Sequence, residues 1–176
     1  MGRRPTRERK VINQIEIREM SRPLGVARIA REIRRQESNS DFNGFTVNYS
    51  VSSLQEFLRS ADGPKWVLSV VPLRMVKCLQ TRLPVEDFLD TAESVAQRRL
   101  LTRQVRQMAL EVRLGRSLPG IFLTRSQSRR DEHWILEGYR RVFAHRVAGA
   151  RTILVYRPVD LFGDPRKSGD PSAQAD

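Results

Sequence analysis

Trp134-Ile135-Leu136-Glu137-Gly138-Tyr139-Arg140-Arg141-Val142-Phe143-Ala144-His145-Arg146-Val147-Ala148-Gly149 is the stretch on which the reading of this chain turns. It reads as a buried strand, a glycine turn, and a short helix that opens on two arginines and closes on a second glycine. Thr152-Ile153-Leu154-Val155-Tyr156 follows as a further strand. A glycine between strand and helix allows a tight turn and bares the first amide N–H groups of the helix. Those donors and the positive end of the helix dipole suit an anion. Two guanidiniums at the same corner add forked donors matched to phosphate, so the sequence points to a polyphosphate site, in the first instance for a nucleotide.

Working outward, Leu136-Glu137-Gly138-Tyr139-Arg140-Arg141-Val142-Phe143-Ala144 resembles the phosphate-binding box of the ParB/sulfiredoxin-like superfamily: an apolar residue, an acid, Gly, any residue, Arg or His, then Arg. Upstream, Val71-Pro72-Leu73-Arg74-Met75-Val76-Lys77 with Gln80-Thr81-Arg82 is similar to the first ParB box. Between them, Ala109-Leu110-Glu111-Val112-Arg113-Leu114-Gly115 and Leu118-Pro119-Gly120-Ile121-Phe122-Leu123 resemble the central helix, its glycine stop and the next strand. The likeness runs in order over residues 66–158. It implies an α/β fold of the α+β kind, with a mixed sheet and an extra N-terminal helical or strand segment. It also implies a bound ATP or CTP with Mg²⁺. Members include nucleotide-dependent partition proteins, sulfiredoxins, free-serine kinases and a plasmid fertility-inhibition protein.

The chain departs from that pattern in places that matter. ParB proteins usually carry Glu where Tyr139 stands, so their CTP-hydrolysing chemistry does not carry over. Sulfiredoxin has its catalytic Cys at that position, whereas the single cysteine here is Cys78, which rules out peroxiredoxin repair. The DNA-reading helix-turn-helix that follows in ParB has no room after residues 152–156.

The implied site then takes these members. Gly138, Tyr139, Arg140, Arg141, Gln80, Arg82 and Gly115 are expected around the nucleotide, with Arg141 as the leading phosphate ligand. Successive helical residues point about 100° apart, so one of Arg140 and Arg141 reaches the ligand while the other pairs with a carboxylate. Glu137 ends its strand beside the turn, either as a Mg²⁺ ligand and water-orienting catalyst or as an ordinary surface acid. Glu111 is the second candidate carboxylate, or else the partner of a neighbouring arginine. His145 reads as a surface helix residue, and His133 has no partner at metal-ligand spacing.

Charge widens the picture. Thirty-two Lys and Arg against 20 Asp and Glu give +12, and nearly all the cations are Arg. Such a surplus attracts polyanions and makes nucleic acid the expected partner, DNA ahead of RNA, through sequence-independent phosphate contacts; an Arg-rich genome is the plain alternative. Arg3 and Arg4 in the basic arm, and Arg31, Arg34 and Arg35 on a helix, are the expected contacts. Few aromatics accompany them, so single-strand stacking has little support.

Four segments follow. Residues 1–10 form a basic arm, 11–62 an N-terminal extension, 63–162 the ParB/sulfiredoxin-like nucleotide-binding domain, and 163–176 a polar tail. Residues 11–17 read as a strand or the start of a helix. Residues 23–36 read as a helix with Val26, Ile29, Ala30 and Ile33 on one face, 45–49 as a strand, and 53–59 as a short helix. The turn Ala61-Asp62-Gly63-Pro64 is the candidate boundary, followed by a strand over 66–71. Residues 85–114 carry helical spacing, with a break at Gln97-Arg98-Arg99 and a stop at Gly115. One cysteine and the lack of any apolar run near the ~18 residues of a membrane span fit a soluble cytoplasmic protein.

Two functions remain open from sequence. One is a nucleotide phosphohydrolase acting on or with DNA, possessing nuclease activity if it resembles the fertility-inhibition protein, and meeting a protein of a DNA-transfer or partition system. The other is a non-catalytic regulator of partition or transcription type, switched by the nucleotide. A free-serine kinase ranks below both, because excess positive charge has no use with a small amino acid.

Overall fold

The computed structural model describes residues 17–38, 49–77, 89, 92, 94–125 and 133–162. Within them lie six strands and four α-helices: β1 (Arg18–Glu19), β2 (Leu24–Gly25), α1 (Val26–Glu37), α2 (Val51–Asp62), β3 (Lys65–Pro72), α3 (Val95–Arg113), β4 (Ile121–Arg125), β5 (His133–Glu137), α4 (Tyr139–Ala148) and β6 (Thr152–Pro158). The sheet runs β1-β3-β6-β4-β5, with β2 also on β3. It is mixed: β6 lies antiparallel to β3 and parallel to β4, and β5 returns antiparallel along β4. This is the α+β class expected from sequence.

Strand alternation sorts the side chains onto two faces. Trp66, Phe122 and Leu136 point to one face, where Ile29, Ala30 and Ile33 of α1 and Leu54 and Leu58 of α2 close over them. On that side Phe122 stacks on Tyr156 with ring centroids 4.6 Å apart. Val71, Ile121, Leu123, Ile135, Ile153 and Val155 point to the other face and meet Val142 of α4. α3 lies outside α4, and Leu101 and Val105 pack on Phe143 between the two helices. The helices before Gly63 are thus one layer of the body that the later strands complete. Asp62, at the end of α2, is buried and ties that layer to the sheet. It accepts from the Thr124 hydroxyl and, at 3.0 Å, from the Arg125 N–H.

Helix ends differ from the sequence reading for local reasons. α2 starts at Val51 because the Ser50 hydroxyl accepts the Ser53 N–H at 3.0 Å. Ser94 does the same for the Gln97 N–H at 3.1 Å. Gln97-Arg98-Arg99 therefore lies within the first two turns of α3, and the expected break there is corrected to a single helix over 95–113. That helix closes as expected at Gly115, whose N–H bonds the Val112 carbonyl while the Arg116 N–H bonds that of Glu111. The strand expected over 45–49 and the candidates at 11–16 fall outside the described residues, apart from Tyr49.

Candidate functional site: an arginine- and glutamine-lined pocket

The glycine turn is built as the sequence implies. Gly138 caps α4 with φ of 102°, and no side chain caps the helix there. Its carbonyl accepts the N–H groups of Arg141 at 2.9 Å and Val142 at 3.4 Å.

The two arginines divide their work in the opposite sense to the one expected. Arg141 is buried, and its guanidinium is spent on protein acceptors. It donates to Gln36 Oε1 at 2.6 Å, the Pro119 carbonyl at 2.8 Å, the Gly120 carbonyl at 2.9 Å and Glu137 Oε1 at 3.3 Å. One side chain thereby joins α1, the strand approach before β4, the end of β5 and α4. Burial lowers its pKa, while Glu137 works in the opposite direction. Arg140 also lines the pocket and donates to Gln104 of α3.

Around this corner lies a cavity of about 510 Å³ between α1, α3 and the start of α4. Arg35, Arg103 and Arg140 supply cationic forks; Gln36, Gln104 and Gln107 supply amides; Met108, Leu118 and Pro119 supply apolar wall. Glu137, Gly138 and Arg141 form the inner end. The Arg103 and Arg140 guanidiniums are donors for an oxyanion, whereas Arg35 is paired with Glu32 and the Gln36 and Gln107 amides donate to Glu32 and Glu111; the apolar wall offers a flat hydrophobic group a surface.

The remaining expected members fall elsewhere. Glu111 is held on α3 by Arg116 at 2.8 Å and Gln107 at 3.2 Å, away from the pocket wall. Gly115 serves as the helix stop. Tyr139 turns its ring into the packing between α3, α4 and the sheet, where burial raises its pKa. Gln80, Arg82, Arg3 and Arg4 lie outside the described residues. Arg34 and Arg35 pair with Glu37 and Glu32 of their own helix, and Arg31 donates to the Ala27 carbonyl.

Mg²⁺ finds no ligand set here. Among the described residues no three His, Cys, Asp or Glu come together. Glu137 is buried against Arg141, and burial raises its pKa, so this carboxylate is poorly disposed to hold a hydrated cation. Sequence reasoning missed Gln36, Arg103, Gln104, Gln107, Met108, Leu118 and Pro119. The only signal was the i, i+1, i+4 polar set Arg103, Gln104 and Gln107 on α3, which becomes meaningful once α3 is known to cover α4.

His145 lies below the pocket and is buried rather than at the surface. Its Nδ1–H donates to the Arg141 carbonyl at 2.7 Å, and burial holds the ring's pKa below the usual 6.5. The folded state thus binds this proton less tightly than the unfolded chain. The associated stability is present above pH 6.5 and is lost as pH falls toward the folded-state value. Urea unfolding of wild type should lose up to about 1.4 kcal/mol per pH unit through this window. His145→Gln should flatten that slope; an equal slope in the variant would assign the loss to other groups.

No protein-family model matches the chain, and no curated protein and no solved structure shows significant similarity to it. The fold and the site therefore define it as a strongly basic α+β protein with an anion-suited pocket at a glycine-turned helix.

Proposed function

We propose that the protein binds a nucleotide through its phosphates in this pocket, acting on or with DNA as a nucleotide-switched regulator of the ParB/sulfiredoxin-like kind. The observation that carries the reading is that Arg103 and Arg140 converge on one cavity beside the uncapped start of α4, with Arg35, paired to Glu32, also in its lining. Guanidinium forks fit phosphate oxygens in pairs, and the positive end of the helix dipole favours an anion at the start of α4. The cavity volume is within the roughly 300–1,000 Å³ usual for small-molecule sites, and Met108, Leu118 and Pro119 give a base an apolar wall. The strand, glycine turn and arginine-led helix follow the order of the ParB-like boxes.

Binding is favoured over turnover because the two carboxylates named for catalysis do not converge. Glu137 is tied to Arg141, and Glu111 to Arg116. A phosphohydrolase is the second reading, and its one support is that Glu137 stands in the pocket wall.

Calorimetric titration with ATP and with CTP, on wild type and Arg140→Ala, tests the proposal. Loss of one charged fork should weaken binding by about tenfold or more, the worth of a charge-assisted hydrogen bond. No binding of either nucleotide to wild type overturns the reading. Phosphate release on incubation with Mg²⁺ would move the assignment from regulator to hydrolase.

A further inference from the structure

α3 carries a second basic feature whose residues are not those expected from sequence. Arg99, Arg103 and Arg106 repeat at i, i+4 and i+7, which at 100° per residue confines them to one narrow stripe. The stripe stands opposite Leu101 and Val105, the residues that bury α3 against α4. All three arginines are exposed. The one acid in the helix, Glu111, is engaged by Arg116 and Gln107. Among the described residues no acidic side chain lines the shallow groove along this face, and no aromatic does. Arg98 also sits in the first turn of the helix, where the dipole makes cations unfavourable. An anion laid along the face would relieve that repulsion.

We propose that this face of α3 is a docking surface for the sugar-phosphate backbone of double-stranded nucleic acid. Three features select this partner. The stripe spans two helical turns, about 10 Å, which matches about three phosphates of one strand at the ~3.4 Å axial rise of a duplex. Arginine forks suit phosphate diester oxygens. With no aromatic among the described residues that line it, this face fits a duplex better than a single strand, whose unpaired bases would need a ring to stack on. Val95 and Leu110 border the stripe and remain exposed. Arg31, Arg34 and Arg35 are weaker candidates because helix partners already hold them. The proposal deepens the nucleic-acid part of the reading above and rests on that part alone. Arg103 and Gln107 line both the groove and the pocket, so the two anion sites adjoin.

The test is fluorescence anisotropy of a short labelled DNA duplex across a salt series, with Arg99→Ala/Arg106→Ala against Arg28→Ala/Arg59→Ala. Both double variants lose the same charge from exposed helix positions, and Arg99 and Arg106 stand outside the pocket. The slope of log affinity against log salt should fall by about two, one per arginine, only in the α3 variant. Its affinity at low salt should fall about tenfold or more. Equal losses in both variants, or none in the α3 variant, overturn the α3 assignment while leaving DNA binding standing. Wild type that binds no duplex overturns the nucleic-acid reading itself. Poly-glutamate competing as well as unlabelled duplex of equal charge would overturn nucleic acid in favour of an acidic protein. Calorimetric nucleotide affinity unchanged in the α3 variant separates this surface from the pocket.

Discussion

Arg141→Ala should cost about 3–5 kcal/mol of folding stability, the range for removing one partner of a buried ion pair. For a chain of this size that is a fall in Tm of about 10 °C or more. The substitution strands more than a cavity. Gln36, the carbonyls of Pro119 and Gly120, and the Glu137 carboxylate all lose their donor together. Glu137 is then a buried carboxylate with its counter-charge gone, in a place where burial already raises its pKa. Arg141→Lys should recover little, because an ammonium is a point charge and lacks the planar fork that reaches acceptors on four sides. Adding Glu137→Gln to Arg141→Ala should restore part of the loss, because the uncompensated charge is gone. Thermal and urea unfolding of wild type, Arg141→Ala, Glu137→Gln and the double variant forms a double-mutant cycle. If Arg141 is instead a phosphate clamp, Arg141→Ala will keep the wild-type Tm and lose nucleotide affinity alone.

That contrast marks how far the sequence was legible. Regular periodicity translated well: Val26, Ile29, Ala30 and Ile33 form the buried stripe of α1, and the apolar runs at 66–71 and 152–156 pair as β3 and β6. The glycine turn at 138 and the stop at 115 were legible because each demands a backbone few residues adopt. The fate of individual arginines was not. Arg157 is fully buried on β6, where it donates to Ser69 and to the carbonyls of Pro158 and Val159. Arg99 and Arg106 stand in solvent. Nothing local separates these cases: Arg157 is buried because its strand is central in the sheet, and there Ser69 of β3 joins the neighbouring Pro158 and Val159 carbonyls as acceptors. The pocket was hidden for the same reason. Its walls come from residues 35–36, 103–104, 107–108, 118–119, 137–138 and 140–141, and they meet through the packing of α1 and α3 about the start of α4.

Gly138→Ala should rank next, at about 2–5 kcal/mol, from two causes that can be measured apart. The first is conformational: φ of 102° is a left-handed backbone that costs a residue with a side chain about 1–2 kcal/mol. The second is contact. A Cβ at this position would lie 2.7 Å from Arg141 Nη2 and 2.7 Å from Ile121 Cγ2, closer than atoms approach. Ile121 is fully buried and Arg141 is fixed by its acceptors, so neither yields freely; overpacking of this kind costs about 1–3 kcal/mol more. Gly149 is the internal control. It closes the same helix with φ of 72°, and a Cβ there meets nothing within 4 Å. Gly149→Ala should therefore show the conformational cost alone. The excess at Gly138 measures the close approach of the Arg141 guanidinium. Equal losses at the two glycines would mean that the guanidinium moves aside at little cost, and with it would fall the view of Arg141 as the fixed floor of the pocket. A larger loss at Gly138, accompanied by weaker nucleotide binding in whatever fraction folds, would tie the turn, the buried ion pair and the pocket into one unit.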